Sequence, residues 1–134
     1  MAELDYHLLC EYARIEPGTG LLTVVGGSFT RIGVHDFPAP QNVTHVARWT
    51  FEPGEPPLDM RVTFRGVGGM YQAEYDLEVM PPQGEAVEGR LAAITIVRAA
   101  MPMVAPGIYE VVVEREGAQI GRLAFEAVQT NRPD

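Results

Sequence analysis

The residues of this chain able to do chemistry are three histidines, a short row of carboxylates, one cysteine and a few hydroxyls beside glycines. His7, His35 and His45 lie on separate segments, and none has a second His or Cys at i+2 or i+4, the spacing that metal sites use. They read as surface or rim side chains, and no metal is expected. Glu74, Asp76 and Glu78 share one strand face. At a rise of ~3.3–3.4 Å per residue they stand about 7 Å apart, whereas hard cations favour oxygens from loops that wrap the ion. The row reads as a solvated face, neutralised by Arg61 with Arg65 nearby. Ser28 and Thr30 follow Gly26-Gly27, but no Gly-x-Ser-x-Gly elbow and no following helix would raise a nucleophile above a sheet. Gly66-Val67-Gly68-Gly69 joins two strands, whereas phosphate cradles need a helix start after the loop. Cys10 lies in an apolar alternation and reads as a small buried side chain. No catalytic residue and no cofactor is expected, so the chain reads as non-enzymatic.

The elements that hold these residues are strands. Apolar residues at Leu58, Met60, Val62 and Phe64, then at Ala73, Tyr75, Leu77 and Val79, alternate with polar ones. That period of two predicts two strands with one buried face each, joined by a turn at Gly68-Gly69. With the turn there, Phe64 faces Ala73, Val62 faces Tyr75, Met60 faces Leu77 and Arg61 faces Asp76. A one-residue slip would expose half of the apolar set. Asp59 against Glu78 is the one like-charge pair. A second hairpin is expected over 108–128. Arg115-Glu116-Gly117 would be its loop, with Tyr109 against Leu123 and Glu110 against Arg122. Further strands are expected over 5–15, 21–32 (interrupted by Gly26-Gly27), 43–51 and 90–98. Pro- and Gly-rich turns separate them. No segment holds a helical period over three turns.

Eight strands at this spacing predict an all-β domain, an antiparallel two-sheet sandwich of immunoglobulin-like form, with a closed barrel as the alternative. One domain is expected over 1–128, with 129–134 as a frayed tail. The chain has 134 residues, 46% hydrophobic and 21% charged, a globular composition. Its net charge is −8, and all ten basic residues are arginine. That balance argues against a nucleic-acid backbone and against an anionic membrane surface as partner. A lone cysteine forms no internal disulfide, and the opening residues lack a basic, then apolar, signal pattern. A cytoplasmic location is expected.

Leu9-Cys10-Glu11-Tyr12-Ala13, Gly20-Leu21-Leu22-Thr23-Val24-Val25-Gly26-Gly27, Phe37-Pro38-Ala39 and Pro106-Gly107-Ile108-Tyr109 form a sequential pattern. It resembles an uncharacterised family of small bacterial proteins, frequent in actinobacteria, over most of the chain. The resemblance implies a β-sandwich and a bacterial origin and carries no catalytic residue with it.

The function expected is that of a non-enzymatic binding or protein–protein interaction module, contacting another protein or a second copy of itself. Two places suit such a contact. One is an edge strand. The other is the apolar, proline-broken stretch 99–106, expected to be an irregular loop that either presents Met101, Pro102, Met103, Val104 and Pro106 to a partner or folds over one end of the sandwich and plugs the core. The alternative is a small-ligand domain, for example for carbohydrate, stacking on Trp49, Phe51 and Tyr71, although their strand positions suit core packing.

Overall fold

Alternating apolar and polar residues build strands along most of the chain, and the computed structural model describes residues 2–130. In chain order the strands are β1 (Glu3–Cys10), β2 (Tyr12–Ile15), β3 (Leu22–Val25), β4 (Arg31–Val34) and β5 (Ala39–Phe51), then β6 (Leu58–Arg65), β7 (Gln72–Val79), β8 (Leu91–Met103), β9 (Gly107–Arg115) and β10 (Ala118–Gln129). The protein is all-β, with one short 3-10 turn at Val67–Gly69 and no α-helix among the described residues. Three sheets form, in the orders β1-β5-β8, β4-β10-β9-β6-β7 and β2-β3.

Ten strands replace the expected eight, and three sheets the expected two, because the first two predicted strands each break. The chain leaves β1 at Glu11, whose amide bonds the Val25 carbonyl at 3.2 Å, and continues as β2 in a different sheet. The second break falls at Gly26-Gly27, which separates β3 from β4. β4 then runs parallel to β10 at the far edge of the largest sheet. The expected frayed tail is corrected at its start. Gln129 pairs with Val34, and the Thr130 amide bonds the Val34 carbonyl at 2.9 Å. The rest of that tail lies outside the described residues.

The β6–β7 register is as the alternation predicts, from Leu58 against Val79 to Arg65 against Gln72. The connection differs: it is a loop closed by Gly66 and Tyr71, whose amide and carbonyl bond at 2.8 Å. Gly68 has φ +61° and Gly69 +73°, a left-handed bend open to glycine at no steric cost. The loop extends equally on both sides of Gly68-Gly69, so its length leaves the register unchanged.

The β9–β10 register departs from expectation. The turn has two residues, Glu116 (φ +51°) and Gly117 (φ +80°), positive at both central positions as in a type I′ hairpin. A bulge between Gln119 and Gly121 then shifts the pairing again. Tyr109 therefore faces Phe125 instead of Leu123, with the rings stacked at 5.6 Å. Glu110 faces Ala124 and reaches Arg122 diagonally.

One apolar cluster is shared by the two larger sheets. Trp49, Phe51, Met101 and Met103 come from one, and Val62, Phe64, Tyr109 and Phe125 from the other. A second cluster joins Cys10, Val46, Ile94 and Ile96 of the three-stranded sheet to Ala13, Leu22 and Val24 of the β2–β3 hairpin. Val46 lies between His45 and Ala47 in an extended strand, so it points to the face opposite theirs. The small hairpin thus covers part of the outer face of β1-β5-β8. A two-stranded ribbon of four residues a side gains its stability from such packing.

Candidate functional site

Each of the two larger sheets ends in two edge strands, and an uncovered edge exposes unpaired N–H and C=O groups to any passing strand. β4 is only four residues long. β7 alternates Gln72, Glu74, Asp76 and Glu78 outward along its length. β1 carries a bulge between Leu4 and Tyr6. Shortness, charge and bulging are the devices that protect natural edges. β8 has less of all three. It runs for thirteen residues in unbroken register with β5, from Leu91 against Phe51 to Met103 against Ala39. Its sequence holds one charged residue, Arg98, and one proline near its end.

The stretch expected to be an irregular loop is therefore the C-terminal half of this strand, which corrects the expectation. Val97, Ala99, Met101 and Met103 alternate inward and are buried, so neither methionine offers a surface. Pro102 pairs opposite Pro40 at the end of the ladder. Proline is tolerated there because an edge strand needs no amide on its free side. Of the expected contact residues, Pro102 and Val104 are half-buried and Pro106 is exposed. Tyr109 holds the segment beyond the strand. Its hydroxyl accepts from the amides of Val104 (3.2 Å) and Ala105 (3.4 Å) and donates to the Ala105 carbonyl (2.7 Å). The inward alternation through Met103 was the signal for a longer strand, and Pro102 masked it.

Two of the three histidines meet. Strand pairing sets Leu9 opposite His45 and His7 opposite Ala47, so His7 and His45 are diagonal neighbours. His7 Nδ1 lies 3.1 Å from His45 Nε2, with the rings edge to face. His45 is fully buried, which corrects the rim reading, and its Nδ1 has no hydrogen-bond partner. With both rings neutral, one of the two facing nitrogens donates and the other accepts, so the contact holds a single proton. Burial, and then the neighbouring His7, push the His45 pKa down to about 3; burial also lowers that of His7. Gly121 of β10 packs against this pair: a Cβ there would lie 2.9 Å from His7 Cε1. His35 is elsewhere, its Nδ1 3.1 Å from the Thr130 hydroxyl.

The carboxylate row behaves as a solvated face. Arg61 Nε donates to Asp76 at 2.7 Å and its Nη1 lies 3.4 Å from Glu74, holding the Asp76 carboxyl below its ordinary pKa. Arg65 turns instead to Glu110 at 3.3 Å. Asp59 does face Glu78. Cys10 is buried, and burial raises its thiol pKa. Ser28 and Thr30 are exposed on the segment between β3 and β4. Trp49 and Phe51 lie in the core, with Trp49 Nε1 donating to the Thr95 hydroxyl at 3.0 Å. Of the three rings considered for sugar stacking, Tyr71 alone reaches the surface. Among the described residues no group of three or more His, Cys, Asp or Glu is arranged to hold a metal, and no helix is long and apolar enough to cross a membrane.

These features define an all-β domain of several sheets, with one long, nearly uncharged edge strand and one histidine pair of which His45 is buried. The chain belongs to DUF6941, a family of unknown function, which it matches over residues 5–128. No curated protein matches it.

Proposed function

We propose that this chain is a non-enzymatic protein-interaction module of immunoglobulin-like sandwich form, which a partner chain joins by adding a strand to β8. The observation that carries the reading is the contrast among the edges: three have a protecting device, while β8 is long, regular and almost uncharged. The strand orders support the sandwich. β1-β5-β8 correspond to strands A, B and E of an immunoglobulin domain, and β10-β9-β6-β7 to G, F, C and C′. The Tyr109 hydroxyl, bonding backbone just upstream of its strand, corresponds to the tyrosine corner of that fold. Backbone pairing supplies affinity in such docking, and side chains on alternate positions supply selectivity.

The test is selection of displayed random peptides on the full-length chain, followed by hydrogen exchange on the selected complexes. Protection of the β8 amides over 91–103 is expected. Ala100→Lys, at an exposed position on that strand, should weaken binding without moving the melting midpoint. Ligands that protect another surface, or binding indifferent to the lysine, would overturn the reading.

A further inference from the structure

Nine of the ten arginines lie among the described residues. Seven of these pair with carboxylates, and Arg115 donates to the Ala2 carbonyl. Arg98 alone has no ion pair or hydrogen bond among the described residues. A chain with 18 carboxylates has no shortage of partners, so the cause is position. Arg98 is exposed on the outer side of β8, flanked on that side by Ile96 and Ala100, and faces Thr44 across the ladder to β5. None of these neighbours is acidic. Beside it is a shallow notch of about 330 Å³, formed with Tyr12, Ala13, Thr44 and Ile96.

An added strand on the free edge of β8 would set one residue directly opposite Arg98, with Cβ atoms ~4.5–5.5 Å apart, within reach of the guanidinium. A carboxylate there meets a planar fork of donors suited to bidentate pairing. Residues two places to either side would stand opposite Ile96 and Ala100, where apolar side chains fit. A β8–β8 contact between two copies leaves Arg98 unmatched, because Leu91–Met103 contains no acidic residue. We infer that β8 takes an extended segment of another protein in which Asp or Glu sits opposite Arg98, between apolar residues at the second position on each side. This rests on the reading of β8 as the docking edge and names what that edge selects. The exposed pair sets register more than affinity. A slip by one residue turns the carboxylate to the other face, and a slip by two leaves it over Ile96 or Ala100.

Peptide selection on the full-length wild type and on Arg98→Glu tests this. Arg98 is exposed and unpaired, so both proteins should melt at the same midpoint. Wild-type ligands should share one acidic position with apolar residues two places away. Ligands of Arg98→Glu should carry Lys or Arg at that position. Arg98→Gln should weaken a synthetic wild-type ligand about two- to fivefold at low salt, a difference that fades at high salt. Ligands that protect β8 but show no acidic position, or that are the same for wild type and Arg98→Glu, would overturn the inference and leave the docking edge standing. Absence of any ligand protecting β8 would overturn both. A concentration-dependent dimer in sedimentation velocity, with β8 amides protected in it, would assign the edge to a second copy and overturn the acidic segment.

Discussion

β7 and β8 are both edge strands, and they solve the exposure of backbone groups differently. β7 carries Glu74, Asp76 and Glu78 outward, with Arg61 threaded between two of them, so an approaching apolar strand would have to desolvate charge. β8 is thirteen residues long and offers small or branched apolar side chains around one arginine. Its inner half-set, ending in Met101 and Met103, is locked in the core. Under the proposed docking, that anchoring makes β8, which pairs with β5 alone, a template for an added strand. The charge on β7 and its scarcity on β8 would, under the same proposal, direct a partner to one edge of the domain.

Breaking the anchoring of β8 should have the largest effect. Met101→Ala removes a fully buried side chain and should cost about 2–5 kcal/mol in denaturant unfolding, whereas Met70→Ala, at an exposed position, should change little. Equal small losses from both would place Met101 outside the core.

The next effect is acid sensitivity of the same sheet through His45. Its folded pKa lies below the unfolded value, so the unfolded chain binds more protons at acid pH. Stability is full above about pH 6.5 and is lost as pH falls toward 3. Between pH 7 and pH 5 the loss should be about 2 kcal/mol, from ~1.5 pH units at 1.36 kcal/mol each. The measurement is urea unfolding as a function of pH, with His45→Leu flattening that part of the profile. An unchanged slope in the variant would assign the acid sensitivity to other groups.

Tyr109→Phe should cost about 1 kcal/mol by freeing the hydrogen bonds that hold the segment after β8. Amides of Val104 and Ala105 should then exchange faster, and wild-type exchange rates there would contradict this anchoring. The smallest effect on stability, and the sharpest on the comparison, is removal of the β7 charges. The triple change Glu74→Thr, Asp76→Thr and Glu78→Thr should leave the melting midpoint nearly unmoved while light scattering reveals association. A triple variant as monodisperse as wild type would mean that charge is not what protects β7.

Legibility in the sequence followed chain separation. The β6–β7 register could be read off because its partners are close in the chain and its alternation is strict. The β9–β10 register departs from the alternation through its two-residue turn at Glu116-Gly117 and its bulge at Ile120, neither of which leaves a clear mark on the apolar pattern. β8 was cut short at Arg98 because Pro102 normally excludes a central strand, and nothing local announces that this strand has a free side. The histidine pair was illegible for a similar reason: 38 residues separate His7 from His45, and only the β1–β5 pairing makes them neighbours.

The sequence by itself determined the all-β class, the hairpins and the charged face of β7, because side-chain alternation and turn chemistry act over a few residues. Tertiary structure alone decided which strands became edges, which arginine went unpaired and which histidine was buried. Those outcomes depend on pairings across the whole chain, such as β4 with β10 and β1 with β5, where one distant partner decides whether a backbone edge or a polar side chain meets protein or water.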